Sequence, residues 1–136
     1  MKGYVVYDIS VHDDLTDKVI TINDWWDGPM CGLATYNGSV YAYERIFDEE
    51  KDDYSDEYRL IPVSGEDECR IMSEWNEWCT AVSVGDTEGY HKSHTEKYLS
   101  QLLKKTSAEG IGKKAKFCGG VKEGFIPDGY FVEWTD

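Results

Sequence analysis

The pattern of apolar runs, turns and helix caps along the chain predicts an α+β domain: a mostly antiparallel sheet of about six or seven strands with two helices. Three observations carry this. Two alternating, aromatic-rich runs meet at Asn37-Gly38, the dipeptide that favours a two-residue type I′ turn. Two amphipathic helical stretches follow one another in the second half instead of alternating with strands. Strand-like segments then close the chain, which points to α+β and not to a parallel α/β sheet. There is no internal repeat and no linker, so residues 1–136 read as a single domain, of a length that buries its own core without disulfides or metal.

Taken in order, residues 3–11, GYVVYDISV, are β-branched and aromatic enough for a first strand. A polar turn follows at Asp13 to Asp17, and residues 18–23, KVITIN, alternate as a second strand. Asp27-Gly28-Pro29 then punctuates the chain: aspartate bonds its own backbone, glycine admits positive φ and proline fixes φ. Residues 30–36 and 39–47 form the hairpin around Asn37-Gly38. In its return strand Val40, Ala42, Glu44 and Ile46 face one way, and Ser39, Tyr41, Tyr43, Arg45 and Phe47 the other. Residues 58–63 give a further strand, with Pro62 at its end or edge.

Ser64 caps a predicted helix over 66–82, whose acidic start suits the helix dipole. Ile71, Trp75, Trp78 and Val82 recur at helical spacing and are expected in the core. Residues 85–92 read as a loop, and Ser93-His94-Thr95-Glu96 as a capping box opening a second helix over 94–108. Strands over 114–122 and 129–135 follow, with Pro127-Asp128-Gly129 as the turn between them.

Composition narrows the function classes. The chain carries a net charge of −13, with 5 Trp and 10 Tyr. Residues 1–90 hold 6 Lys/Arg against 21 Asp/Glu, and residues 91–136 hold 8 against 6, so the acidity belongs to the first two thirds. This argues against direct binding to nucleic acid or anionic lipid, both of which need positive charge, and suits a basic protein partner. No run approaches the ~18 apolar residues of a membrane span, and the charged N-terminus is unlike a signal peptide. A cytoplasmic location is therefore expected, with Cys31, Cys69, Cys79 and Cys118 as reduced thiols and the two helical ones buried.

No motif for a nucleophile, a phosphate loop or a cofactor stands out, so no catalytic residue, metal or cofactor is expected. The acidic run from Asp48 to Glu57 lacks the central glycine and terminal glutamate of a calcium loop. His91 and His94 would supply only two of the three or four ligands that zinc needs. The run reads instead as a docking surface. Asp48, Glu49, Glu50, Asp52, Asp53, Asp56 and Glu57 would supply charge, and Tyr54 and Tyr58 aromatic anchors. Trp25 and Trp26 join this candidate surface. If strand geometry reaches them, one is buried and the other open to a partner; if the chain turns there, both are buried.

The segments Trp25-Trp26-Asp27-Gly28-Pro29, Gly32-x-Ala34-x-Tyr36-x-Gly38, Phe47-Asp48-Glu49 and Tyr58-x-Leu60-x-Pro62, with Val132-Glu133-Trp134-Thr135 at the end, resemble a group of short bacterial proteins. That group shares a W-[YW]-D-G-P turn, a G-x-A-x-Y-x-G hairpin and an acidic FDE loop. The resemblance covers roughly residues 20–80 and the last few, and implies no activity. In that group a proline and a histidine often follow the hairpin glycine, where this chain has Ser39-Val40-Tyr41. The function expected from the sequence is a small acidic binding module or inhibitor, of the immunity-protein or nucleic-acid-mimic kind, that docks a basic partner. The alternative is an enzyme or small-ligand binder with an aromatic pocket built from Trp25, Trp26, Tyr41 and Tyr43 with His91 and His94.

Overall fold

Among the described residues, seven antiparallel strands curl into a sheet around an aromatic interior, and two of three helices pack on part of its outside. This computed structural model describes residues 17–93 and 97–136, without the side chains of 91–93. The expected strand over 3–11, the capping box at 93–96 and the His91/His94 pair lie outside what is described. The strands are β1 (Asp17–Lys18), β2 (Asp24–Trp25), β3 (Pro29–Tyr36), β4 (Ser39–Asp48), β5 (Asp53–Pro62), β6 (Ile111–Lys122) and β7 (Ile126–Thr135). The helices are α1 (Gly65–Ser83), α2 (Thr87–Ser93) and α3 (Tyr98–Lys105).

The sheet order is β1-β7-β6-β5-β4-β3-β2. Its two outer members, β1 and β2, are parts of one short stretch of chain, so the sheet closes on itself. Asp17 and Lys18 pair with Val132 and Phe131 of β7. Val19 donates its N–H to Tyr130 O, whereas the N–H groups of Ile20 and Thr21 both go to Leu33 O on β3. The predicted strand over 18–23 is therefore not a regular one. Its hydrogen bonds divide between β7 and β3 because it crosses from one to the other. Gly32 makes the crossing possible, since a Cβ there would lie 2.2 Å from Thr21 O and 2.8 Å from the Tyr43 hydroxyl.

Strand alternation then sorts the core into two layers. Ala34, Tyr43, Tyr58, Leu60, Tyr130 and Val132 point inward, with Phe117 and Trp134 packed against them. Leu33, Ala42 and Ile61 point outward and meet Ile71 of α1 and Leu99, Leu102 and Leu103 of α3. The rings around Tyr58 pack edge-on, at 5.9 Å from Tyr43, 5.7 Å from Phe117 and 5.7 Å from Trp134, while Phe117 and Tyr130 stack at 5.5 Å. Their polar tips are satisfied by backbone carbonyls. Tyr43 donates to Thr21 O at 2.8 Å, Tyr58 to Pro29 O at 2.6 Å and Trp134 to Thr35 O at 2.9 Å. Burial therefore holds the Tyr43 phenol well above its ordinary pKa and raises that of Tyr58 to about 12.

The Asn37-Gly38 hairpin forms as expected, with φ of 51° and 82° and Tyr36 opposite Ser39. Ser64 caps α1, its hydroxyl accepting from Asp67 N at 3.1 Å. Three local expectations change. The 85–92 segment holds α2, whose start is fixed by Asp86 accepting from Gly89 N at 3.1 Å. The second predicted helix is shorter, and Glu74 of α1 caps it by accepting from Tyr98 N at 2.9 Å. The turn between the last strands is at Glu123-Gly124-Phe125, with Pro127 inside β7 opposite Val121. β1 pairs with β7 only at Phe131 and Val132, so Pro127 sits where its other edge is open and its missing N–H costs no ladder bond. Cys69 is exposed instead of buried, and Cys118 is exposed too.

Candidate functional site

The register brings three turns to one end of the sheet. β3 begins just after the turn at Trp26-Asp27-Gly28, and Cys31 lies opposite Glu44 on β4. β4 and β5 meet at Asp48 opposite Asp53. β5 and β6 are antiparallel, with Glu57 opposite Lys114, so the later part of β6 runs to the same end and turns at 123–125. The backbone is strained in all three turns. Asp27, Asp52 and Phe125 have φ of 53°, 53° and 58°, a region that residues other than glycine rarely occupy.

That end is both acidic and aromatic. Trp26, Phe47 and Phe125 are 67%, 43% and 46% exposed. Asp24, Asp27, Glu49, Glu50, Asp52, Asp53 and Glu123 are exposed around them, and Asp48 is half-buried. The acidic run is not a floppy loop. Only residues 49–52 turn, while Asp53, Tyr54, Asp56 and Glu57 belong to β5. Asp48 Oδ1 accepts from Glu50 N at 3.0 Å and from Lys51 N at 3.4 Å, an Asx-type bond that fixes the turn. Phe47 packs edge-on against Tyr54, with ring centres 5.1 Å apart.

Arg45 ties two of the turns together. Its Nε donates to Ser55 O at 2.6 Å, and its Nη1 to Trp26 O at 3.1 Å and Asp27 O at 3.4 Å. The guanidinium also lies 6.0 Å from the centre of the Tyr54 ring. These donors go to carbonyls, and none is spent on the surrounding carboxylates. Nothing in the sequence marks Arg45 for this role, because the carbonyls it meets belong to residues far from it along the chain.

Tyr58 is a correction. Only 2% of it is exposed, in the interior cluster with its hydroxyl on Pro29 O, so it cannot anchor a partner. The strand period explains why: Tyr58 shares the inward face with Leu60 and neighbours the outward Glu57. The two tryptophans part company, as strand geometry at Asp24–Trp25 requires. Trp25 is half-buried and stacks on Phe125, with centres 5.1 Å apart and planes 18° from parallel, whereas Trp26 is open.

A pocket of about 200 Å³ lies beside this end, where Trp25 and Phe125 meet Trp75 and Trp78 of α1. A broader groove of about 600 Å³ runs between α1 and α2, lined by Asn76, Thr80, Val84 and Asp86 among others. Of the expected aromatic pocket, Trp25, Tyr41 and Tyr43 belong to one interior cluster, while His91 and His94 lie outside what is described. Tyr43 is fully buried inside the sheet and Tyr41 packs against that same interior cluster, away from the open Trp26. Among the described residues no group of three His, Cys, Asp or Glu side chains is placed to hold a metal. No described helix is long and apolar enough to cross a membrane. Comparison with protein-family models, curated proteins and solved structures found no match.

Proposed function

We propose that this chain is a binding module or inhibitor that docks a basic protein through the end of the sheet bearing the turns at 26–28, 49–52 and 123–125. The observation that carries the reading is the convergence, on one surface, of exposed Trp26, Phe47 and Phe125 with the carboxylates of Asp24, Asp27 and the Asp48–Asp53 turn. Open aromatic side chains supply apolar area at little entropic cost, and a ring of like charge steers an oppositely charged partner and fixes its orientation. Trp26, Tyr54 and the turn carboxylates are the contact residues in this reading, with Phe47 and Phe125 added and Tyr58 withdrawn.

The test separates this end from the acidity of the whole chain. A lysine-rich polypeptide is titrated into the protein at low and high salt. Neutralising Asp48, Glu49, Glu50, Asp52 and Asp53 to their amides is expected to weaken binding by about tenfold or more and to flatten its salt dependence. Neutralising Glu66, Asp67 and Glu68 on α1 is expected to change it by less than about threefold. Equal losses from the two sets, or binding that ignores salt, would sink the docking reading. Trp26→Ala is expected to lower affinity at high salt as well, because its share is apolar.

A further inference from the structure

The pocket between Trp25, Phe125 and α1 has a composition that selects its ligand. Trp25 and Phe125 form one stacked wall, and Trp75 and Trp78 come from the helix. Trp78 commits its Nε1–H to Gly124 O at 2.9 Å, which locks the helix to the 123–125 turn. What this side chain offers a ligand is its ring. Among the described residues, Asn23 and Asp24 are the polar side chains of the lining, which contains no lysine or arginine. Asp24 Oδ1 is held in place by Trp25 N at 2.9 Å, and Asn23 Oδ1 accepts from the Thr21 hydroxyl at 2.6 Å.

An anion would meet the Asp24 carboxylate among aromatic rings, of which Trp25 and Phe125 each cover one face of the other. A neutral apolar group would leave the Asp24 carboxylate without a counter-charge. A cation satisfies both, through the ring quadrupoles and the nearby charge. Size narrows the class further, since about 200 Å³ holds roughly six or seven water-sized groups. That accommodates an alkylammonium headgroup and is too small for a nucleoside.

We propose that this pocket binds an organic ammonium group, with the carboxylate of Asp24 as counter-charge and Trp25, Phe125 and Trp78 as ring surfaces. The group is supplied by a lysine or methylated lysine side chain of the basic partner; this clause alone rests on the docking reading above. The pocket adjoins the acidic end because residues 24–25 and 123–125 serve both.

The probe is choline chloride, with 3,3-dimethylbutanol as its neutral isostere, followed through the indole N–H signals of the intact protein. Choline is expected to saturate in the millimolar range, with the isostere about tenfold weaker. Asp24→Asn, which keeps an acceptor for Trp25 N, is expected to weaken choline several-fold without altering the melting temperature. Phe125→Leu, which keeps the apolar volume, is expected to do the same. A wild-type protein that binds the isostere as well as choline, or that shows no saturable response to choline, overturns the inference. A lysine-rich polypeptide that still binds the 49–52 turn in that case leaves the docking reading standing. Choline entry without polypeptide binding supports the pocket and overturns the docking reading instead.

Discussion

Gly32 and Gly38 are both glycines of the same hairpin, yet they are required for different reasons. Gly38 has a φ of 82°, and a Cβ there would meet nothing within 4 Å, so Gly38→Ala is expected to cost only about 1 kcal/mol of backbone strain. Gly32 needs no unusual φ, but a Cβ there would lie 2.2 Å from the carbonyl oxygen of Thr21. Gly32→Ala must push apart the crossing segment and is expected to cost about 3 kcal/mol or more, read by chemical denaturation. Gly38 is legible from its neighbour Asn37, since the turn is local. Gly32 is not, because the atom it must avoid comes from another part of the chain. The same holds at the candidate site. Trp25, Trp26 and the carboxylates of 48–57 stand out in the sequence, but Arg45 and Phe125 gain their places only when separate turns converge. Tyr58 misleads because an aromatic residue next to acidic ones looks exposed until the strand period is extended through it.

Among the elements, α1 and α3 contrast in what holds them. α1 begins and ends within one residue of the expected 66–82, because Ser64, the acidic first turn and the apolar spacing are all local signals. α3 spans eight residues, short for a helix that must form unaided. Distant elements secure both its ends. Glu74 receives the first N–H groups, accepting from Tyr98 N at 2.9 Å and Lys97 N at 3.2 Å. Arg59 of β5 satisfies the last carbonyls, donating to Leu103 O at 3.0 Å, to Thr106 O and to Glu109 O at 3.2 Å, while pairing with Glu44 at 2.6 Å. Removing Arg59 strands these acceptors and a half-exposed carboxylate, so Arg59→Ala is expected to destabilise by about 2–4 kcal/mol. Glu74→Ala loses one cap and is expected to cost about 1 kcal/mol. Both follow from thermal or urea unfolding, and faster amide exchange confined to 98–105 in Glu74→Ala would identify the cap as the cause. The apolar stripe Leu99, Leu102 and Leu103 marks this helix in the sequence; its true limits are set by residues that no local window contains.

For the whole molecule, closure of the sheet by residues 17–25 creates an interior filled by aromatic rings, and that choice carries a pH signature. Tyr58 moves from 10.0 to about 12, and burial raises Tyr43 and Tyr130 as well. The folded state holds these phenolic protons more tightly than the unfolded chain does. The contribution of Tyr58 is complete below pH about 10 and is lost as the pH climbs through about 12, worth roughly 3 kcal/mol. Stability should therefore fall steeply across this window, with the buried phenols' share of the tyrosinate absorbance appearing at the unfolding transition instead of before it. Tyr58→Phe should lessen that alkaline loss, while giving up the bond to Pro29 O. The antiparallel sheet and its helices are legible because turns, caps and alternation are short-range. The closure is not, since it depends on one irregular stretch sharing its bonds between β3 and β7. The pairing of β5 with β6 covers Glu57–Leu60 only, so among the described residues the start of β5 has no ladder on that side. Its backbone is nonetheless occupied: Tyr54 N bonds Asp53, Glu57 N bonds Ser55 Oγ and Ser55 O bonds Arg45. Groups so engaged are not offered to a visiting strand. In the docking reading proposed above, a partner is met here by side chains and is free to arrive as helix, turn or extended tail.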